Sequence, residues 1–365
     1  MSQADGLAVL EERVHLPGRG TRVRLAAGAR HLLGDALASV APGARRAGWV
    51  VDGRVAQLWE RAGGLAAPPG VELLRVVLPP GEACKEREVL AATQDVLLGL
   101  TREEPVVVVG GGAALDLGGL AAATCHRGHP WVAVPTTVLA MADASVGGKV
   151  AINHARGKNL LGTFHPPGEV LADLELLATL PVREAAAGWA EVRKAGFVGD
   201  AGLLELLAGG VPATAALEAA ALQRAIAVKA RLVEHDERDH GARRALNYGH
   251  TLGHALERAG LGLLHGEAVA LGMLAALALA EARGVLAPGV RAREAAALAR
   301  LGLPIALAQA PSRERVLALA GADKKRKAGR HVFVLPVGTH GVQVVEDVTE
   351  AELAAALAAL APAAR

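Results

Sequence analysis

The sequence predicts an α/β chain in two parts. Four consecutive valines, Val106 to Val109, run straight into Gly110-Gly111-Gly112, the pattern of a buried strand that turns tightly into a helix N-terminus. Short apolar runs alternate with helical patterns up to about residue 180, as in an α/β domain. From about Pro181 to Leu307 the character changes to alanine- and leucine-rich segments of 3.6-residue period, interrupted at Gly209-Gly210, Gly260 to Leu264 and Pro288-Gly289.

The elements follow in order. Val50-Val51-Asp52-Gly53 closes a strand, and a helix is expected from Val55 to Ala62. Leu73 to Leu78 reads as the next strand. Pro79-Pro80-Gly81-Glu82 turns the chain toward a helix from Glu86 to Leu98. The valine strand starts at Pro105, and the helix after the glycine triplet carries Asp116 and runs to about Thr124. Trp131 to Val134 is a further buried strand, closed by Pro135-Thr136-Thr137. Near the end, His331 to Val337 and Val342 to Val345 read as short strands before a last helix from Glu350 to Ala361.

Strand, glycine-rich turn and helix N-terminus make an anion site where backbone N–H groups and the helix dipole converge, although a plain tight turn writes the same letters. The triplet is not a GxGxxG fingerprint. Asp52, at a strand end, suits either ribose hydroxyls or a turn and N-cap.

Composition narrows the class. A chain of 365 residues with 52% hydrophobic content has ample material for two cores. A formal net charge of +2 leaves no nucleic-acid footprint. Cys84 and Cys125 form no CxxC pair, which fits a reduced, cytoplasmic chain. The first residues carry neither a basic n-region nor an apolar h-region, and Leu271 to Ala280 fits a buried helix better than a membrane span.

The richest stretch is Asn247-Tyr248-Gly249-His250-Thr251-Leu252-Gly253-His254. Histidines four residues apart leave the same helix face. With His265 downstream and Glu191 upstream, the chain offers the imidazole and carboxylate ligands a catalytic zinc uses. Glu191 and Lys194 at i, i+3 equally suit a surface ion pair. Between the two parts lie Asp143, Gly147-Gly148-Lys149, Asn153 and Gly157-Lys158-Asn159, glycines beside lysines that suit close approach to a phosphate or carboxylate.

Taken in order, Pro135-Thr136-Thr137, Asp143, Gly147-Gly148-Lys149, Asn153, Lys158-Asn159, Ala190-Glu191-Val192, Lys194 and Leu246 to Glu257 resemble the 3-dehydroquinate synthases of the sugar-phosphate cyclase family. The resemblance runs from roughly Asp52 to Lys325. It implies a Rossmann-like NAD-binding α/β domain over residues 1–180 and an all-helical metal- and substrate-binding domain over 181–365. Glu191, His250 and His265 match the ligands of one divalent metal, zinc or cobalt. His254 matches a residue that contacts substrate and handles protons. Asp143, Lys149, Asn159 and Lys194 match its partners, as do Lys229, Arg243, Asn247 and Lys324. Arg127 matches an arginine that reaches into the neighbouring subunit's site, which implies a homodimer. Around NAD the matching positions are Asp52, Glu82, Lys85, Gly111 and Gly112, with Asp116, Thr136, Thr137, Lys158 and Thr179. Leu115 departs from a family glycine, Ala195 from a common aromatic, and Asp239 from a glutamate; none removes a ligand. The implied substrate is a sugar phosphate bearing a carboxylate. Arg243, Asn247 and His254 favour it over the carboxylate-free substrates of sister cyclases, and a polyol dehydrogenase is the other enzyme class of this type.

Overall fold

The computed structural model of the chain describes residues 8–17, 19–61, 67–309, 311–321, 326–327, 330–338 and 340–361, and the statements below concern these. They fall into two compact units, one of residues 1–180 with Lys229–Arg238, the other of Pro181–Val228 with 239–365.

The first unit is built on a seven-stranded sheet. Its elements are β1 (Leu10–Leu16), β2 (Arg19–Ala26), α1 (Leu33–Val40), β3 (Arg46–Asp52), α2 (Gly53–Arg61), β4 (Glu72–Leu78), α3 (Arg87–Leu97), β5 (Val106–Gly110), α4 (Gly112–Thr124) and β6 (Trp131–Pro135). An antiparallel hairpin, β7 (Lys149–His154) and β8 (Gly157–Phe164), stands outside that sheet, and β9 (Glu169–Asp173) returns to it. The strand order is β1-β2-β9-β6-β5-β3-β4, antiparallel only between β1 and β2. From β3 the chain steps outward to β4, then crosses back to place β5 on the other side of β3. The carboxyl ends of β3 and β5 therefore flank the topological switch point, where open parallel sheets bind ligands.

The sheet is apolar on both faces because helices cover both. Leu32, Leu33 and Leu37 pack on Trp49, Val51, Val107, Val109, Val132 and Val134. On the opposite face Gly118 of α4 meets Val108, where an added Cβ would lie 2.5 Å from Cγ1. The helix thus sits directly on the valine strand.

The strands expected at Asp52, Leu78, Val109 and Val134, and the helices between them, are each present. The strand pair β1–β2, the strand β9 and the β7–β8 hairpin were not expected. They are short and mixed in polarity.

The second unit holds α5 (Val182–Gly199), α6 (Ala201–Leu206), most of α7 (Ala215–His235), α8 (His250–Arg258), α9 (His265–Ala282), α10 (Val290–Arg300) and α11 (Arg313–Gly321). It closes with β10 (Arg326–Lys327), β11 (Arg330–Pro336), β12 (Val342–Val348) and α12 (Glu350–Ala358). The expected strands near residues 331–345 are β11 and β12, and β10 adds a third antiparallel member, so this unit is helical with a small sheet rather than all-helical.

Helix α9 is apolar on every side and is the core of the unit. It meets a length-and-composition test for a membrane span, but 78% of that stretch is buried inside the protein. Its neighbours approach at backbone distance. A Cβ at Gly266 would lie 1.8 Å from the carbonyl oxygen of Ala187 on α5, and one at Gly272 would lie 1.8 Å from that of Gly249. Glycine is required at both positions by space alone.

Candidate active site

In the first unit, functional candidates gather around the switch point. Asp52 ends β3 with both carboxylate oxygens engaged: Oδ1 accepts from the amides of Arg54 (2.9 Å) and Val55 (3.3 Å), Oδ2 from Gly81 (3.0 Å). Of the two roles open to it from sequence, capping and turn-fixing are the ones its contacts display. Gly110 lets β5 end against this residue, since a Cβ there would lie 3.0 Å from Asp52 Cβ and 2.7 Å from Ala114 Cβ. Helix α4 then starts at Gly112 with Gly111 as N-cap and no side-chain cap, so its first amides are presented for an anion. Leu115, at the position of the family glycine, is 2% exposed and points into the core.

One network joins the turn after β4 to α4 and the hairpin. Buried Lys85 pairs with Asp116 and donates to Asn159 Oδ1. Burial pushes the Asp116 carboxyl above its ordinary range even with Lys85 beside it. Asn153 donates to Glu82 Oε1 (2.8 Å) and accepts from the Asn159 amide (3.0 Å), while its own amide donates to the Lys85 carbonyl (2.9 Å). Asn159 adopts a left-handed conformation, φ 57°, which asparagine tolerates better than most residues.

Asp143, in the turn Ala140–Ala144, forms an ion pair with Lys229 of α7, whose ammonium also donates to the Asp143 carbonyl. The buried Thr136 amide donates to the Gly110 carbonyl (3.0 Å), and Thr137 Oγ1 accepts from the Ala140 amide (3.0 Å). Lys149 and Lys158 are exposed on the hairpin. Thr179 stands after β9, its hydroxyl donating to the Leu176 carbonyl (2.7 Å). Arg127 is exposed and follows His126 with both backbones left-handed, φ 65° and 48°, a strained pair for residues with side chains.

In the second unit, five side chains converge. Glu191 and Lys194 sit on α5 as a buried ion pair, 2% and 3% exposed, rather than on the surface. His250 opens α8 after the left-handed Gly249, and His254 follows one turn on. His265 opens α9, whose N-terminus is fixed by Glu267 accepting from the Leu264 amide (2.8 Å). Glu191 Oε1 lies 3.6 Å from His250 Nε2 and 3.5 Å from His265 Nε2. Neither oxygen of Glu191 accepts a well-formed hydrogen bond, although Lys194 is in contact with Oε2.

These groups fit a divalent metal. Two ligands about 2.1 Å from a tetrahedral ion stand roughly 3.4 Å apart, close to the separations from Glu191 to the two histidines. His250, His254 and His265 bring their ring nitrogens only within 4.8 Å of one another, a looser set. Glu191 is thus the nearer partner of both His250 and His265, and His254 lies beside them with its ring centroid 5.0 Å from that of His250. Nδ1 of His250 is 3.1 Å from the Tyr248 carbonyl and Nδ1 of His265 is 3.0 Å from Glu257 Oε2. Each Nδ1 therefore carries its hydrogen, leaving the Nε2 lone pairs for the ion.

The electrostatics agree. Burial alone would raise the Glu191 carboxyl, but Lys194 and the two histidines hold it well below the usual range. Burial and Lys194 drive the His250 imidazole down, favouring its neutral form. Burial also opposes charge on His265, yet the carboxylates of Glu191 and Glu257 beside it lift it to about 9, so an ion binding at Nε2 must displace a proton there. In the same unit Arg243 is buried and Asn247 partly so, both in the turn Ala242–Asn247 that leads into α8. Lys324 lies outside the described residues. Ala195 is buried on α5, and Asp239 takes a left-handed backbone, φ 61°, which an aspartate tolerates.

Comparison with known proteins decides the family. Residues 75–187 match the model of the 3-dehydroquinate synthase N-terminal domain, and residues 188–326 that of its C-terminal domain. The chain belongs to the 3-dehydroquinate synthase family. The 3-dehydroquinate synthase of Caulobacter vibrioides is 41% identical over 338 residues, covering 89% of this chain and 91% of that protein. That of Geobacter metallireducens is 47% identical over 290 residues, 76% and 79% of the two chains. Among solved structures, the 2-epi-5-epi-valiolone synthase ValA of Streptomyces hygroscopicus subsp. jinggangensis, with NAD+ and Zn2+ bound, superposes with a TM-score of 0.84 at 32% identity, over 94% of this chain and 96% of ValA.

Two residues in the 3-dehydroquinate synthase framework escaped a role at the level of sequence. Asn153 stood inside a recognised motif, but its bridging of Glu82 and Asn159 depends on the unexpected hairpin. Glu257 carries a signal that was available: with His250 and His254 it forms an i, i+4, i+7 stripe on one helix face.

Proposed function

We propose that the chain is a phosphate-eliminating lyase that converts 3-deoxy-D-arabino-heptulosonate 7-phosphate into 3-dehydroquinate and inorganic phosphate, with NAD and one divalent ion, zinc or cobalt. The observation that carries this reading is Glu191 Oε1 facing the Nε2 atoms of His250 and His265 at 3.6 and 3.5 Å. The names of the curated relatives, 3-dehydroquinate synthases, support the product, and ValA, with NAD+ and Zn2+ bound, supports the cofactors.

When bound, NAD supplies a hydride acceptor that is restored within the cycle, and the ion held by Glu191, His250 and His265 stabilises negative charge on the substrate oxygen being oxidised. The chain's own residues do the rest. Lys194 neutralises Glu191 Oε2, which frees Oε1 for the ion. His254, beside the triad, exchanges a proton with a substrate hydroxyl. Arg243 takes the carboxylate in a bidentate grip, while Asn247 hydrogen-bonds the substrate beside it. Lys149, Lys194, Lys229, Asn159 and Lys324 bind phosphate and hydroxyl oxygens, and Asp143 orients Lys229. Arg127 completes the phosphate site of a second subunit in a homodimer. The amides at Gly111 and Gly112 receive the pyrophosphate of NAD, with Thr136, Thr137, Lys158 and Thr179 around it. Asp52, Glu82, Lys85 and Asp116 lie toward its ribose and nicotinamide. The reduced thiols fit a cytoplasmic protein.

Phosphate release from the heptulosonate phosphate, with catalytic NAD and zinc, tests this. Release that stops on chelation without NADH accumulating is the expected result. Release only from sedoheptulose 7-phosphate or glucose 6-phosphate would make the chain a sister cyclase, and steady NADH formation would make it a dehydrogenase. Glu191→Ala and His250→Ala are each expected to lower turnover by orders of magnitude; near-normal turnover of either with zinc present would refute the metal assignment.

A further inference from the structure

Helix α8 delivers three polar side chains to one face, at His250, His254 and Glu257. The first two belong to the site described above, and Glu257 has been given no part in it. Its Oε2 lies 3.0 Å from Nδ1 of His265, on the neighbouring α9, and its side chain is 15% exposed. The other end of that imidazole, Nε2, is the atom that faces Glu191 at 3.5 Å. A ring nitrogen this close to a carboxylate donates to it, so Glu257 fixes both the tautomer of His265 and the direction of its Nε2 lone pair.

The two histidines are held differently. His250 donates to the neutral carbonyl of Tyr248, only two residues away and set by the local turn. His265 donates to a full negative charge brought from a different helix. A carboxylate partner draws the Nδ1 hydrogen and raises electron density on Nε2, which makes His265 the stronger donor of the pair.

We infer that Glu257 is a positioning residue of the metal site, acting through His265 and setting how tightly the divalent ion is held. This rests on the metal reading proposed above and adds a residue to it.

The test measures zinc affinity of the chelator-stripped full chain by competition with a chromogenic chelator. Glu257→Ala is expected to weaken binding about 10- to 100-fold, the usual effect of losing such a partner. Glu257→Gln keeps an acceptor oxygen without the charge, so its Kd is expected between those of the wild type and the alanine variant. The visible spectrum of the cobalt-saturated protein should shift in Glu257→Ala and return toward the wild type in Glu257→Gln. A merely structural role would instead lower the melting temperature of the metal-free variants and leave the cobalt spectrum unmoved. Wild-type zinc affinity in the glutamine variant overturns the inference, including the case in which Glu257→Ala does not fold. His250→Ala reports on the underlying reading: wild-type affinity there removes the metal site itself, whereas loss there with none in the Glu257 variants removes only the role of Glu257.

Discussion

Replacing Gly272 by alanine tests how the metal ligands are brought together. The new Cβ would stand 1.8 Å from the Gly249 carbonyl oxygen, 2.8 Å from its carbonyl carbon and 2.9 Å from the Gly253 amide nitrogen, all backbone. An ordinary carbon–oxygen contact needs roughly 3.2 Å, so α8 and α9 must part by about 1.4 Å. His250 follows Gly249 directly and moves with it, whereas a functional constellation tolerates only about 0.5 Å. Overpacking of this kind costs about 1–3 kcal/mol, here toward the upper end because no side chain can rotate away. For a unit of this size that lowers the melting temperature by about 2–12 °C. Zinc affinity should fall with it, by at least about tenfold. The assay pairs thermal melting of the chelated protein with zinc competition, and uses Gly209→Ala as control. Gly209 has open space around its Cβ position, so that variant should match the wild type or exceed it slightly. A Gly272→Ala protein with wild-type melting and wild-type zinc affinity would refute the close-packing account.

Three further outcomes follow from particular contacts. Arg193 donates to Glu294 with both side chains buried, and also to the Leu204 carbonyl, so Arg193→Ala should destabilise by about 3–5 kcal/mol in denaturant titration by stranding a buried acid. Asp52→Ala removes the acceptor of three amides and should cost about 1–2 kcal/mol or somewhat more, read in the same titration, while Asp52→Asn should recover part of it. Hydrogen bonds from Arg283 hold the Glu352 carboxyl at about 2 instead of 4.5, and a depressed acid stabilises fully above its unfolded value and loses that contribution as pH falls through the folded one. The melting-temperature gap between wild type and Arg283→Ala should therefore be constant above about pH 5 and shrink between about 4.5 and 2; a gap that widens on acidification would contradict the pairing.

Much of the site is legible in the amino-acid sequence because its residue types are few and its spacings local. The β-branched valine run into Gly110-Gly111-Gly112 reads as a buried strand meeting a turn, and a four-residue step from His250 to His254 is about one helical turn. What could not be read is long-range. Burial of Glu191 and Lys194 depends on α9, whose Gly266 and Gly272 permit backbone contact with α5 and with the start of α8. Their i, i+3 spacing alone suits a surface ion pair equally well. The β7–β8 hairpin alternates weakly, with lysine and asparagine in both strands, so its pairing emerges only when Gly162 meets the Val150 carbonyl at a distance no Cβ would allow. Strands β1, β2 and β9 escape notice for a similar reason: arginines and glutamates that look solvent-facing in β2 and β9 neutralise one another, with Arg22 and Arg24 both on the buried Glu169.

Asp52 also limits how a dinucleotide can be held. A carboxylate offers about four lone-pair sites, and three of these already serve the amides of Arg54, Val55 and Gly81. Should the ribose diol of NAD sit against this residue, as proposed, only one hydroxyl can be accepted without releasing a backbone amide. The second must turn to another acceptor or to water. Recognition of the sugar and integrity of the β3–α2 junction thus draw on the same two oxygens, and a change that improves one diminishes the other.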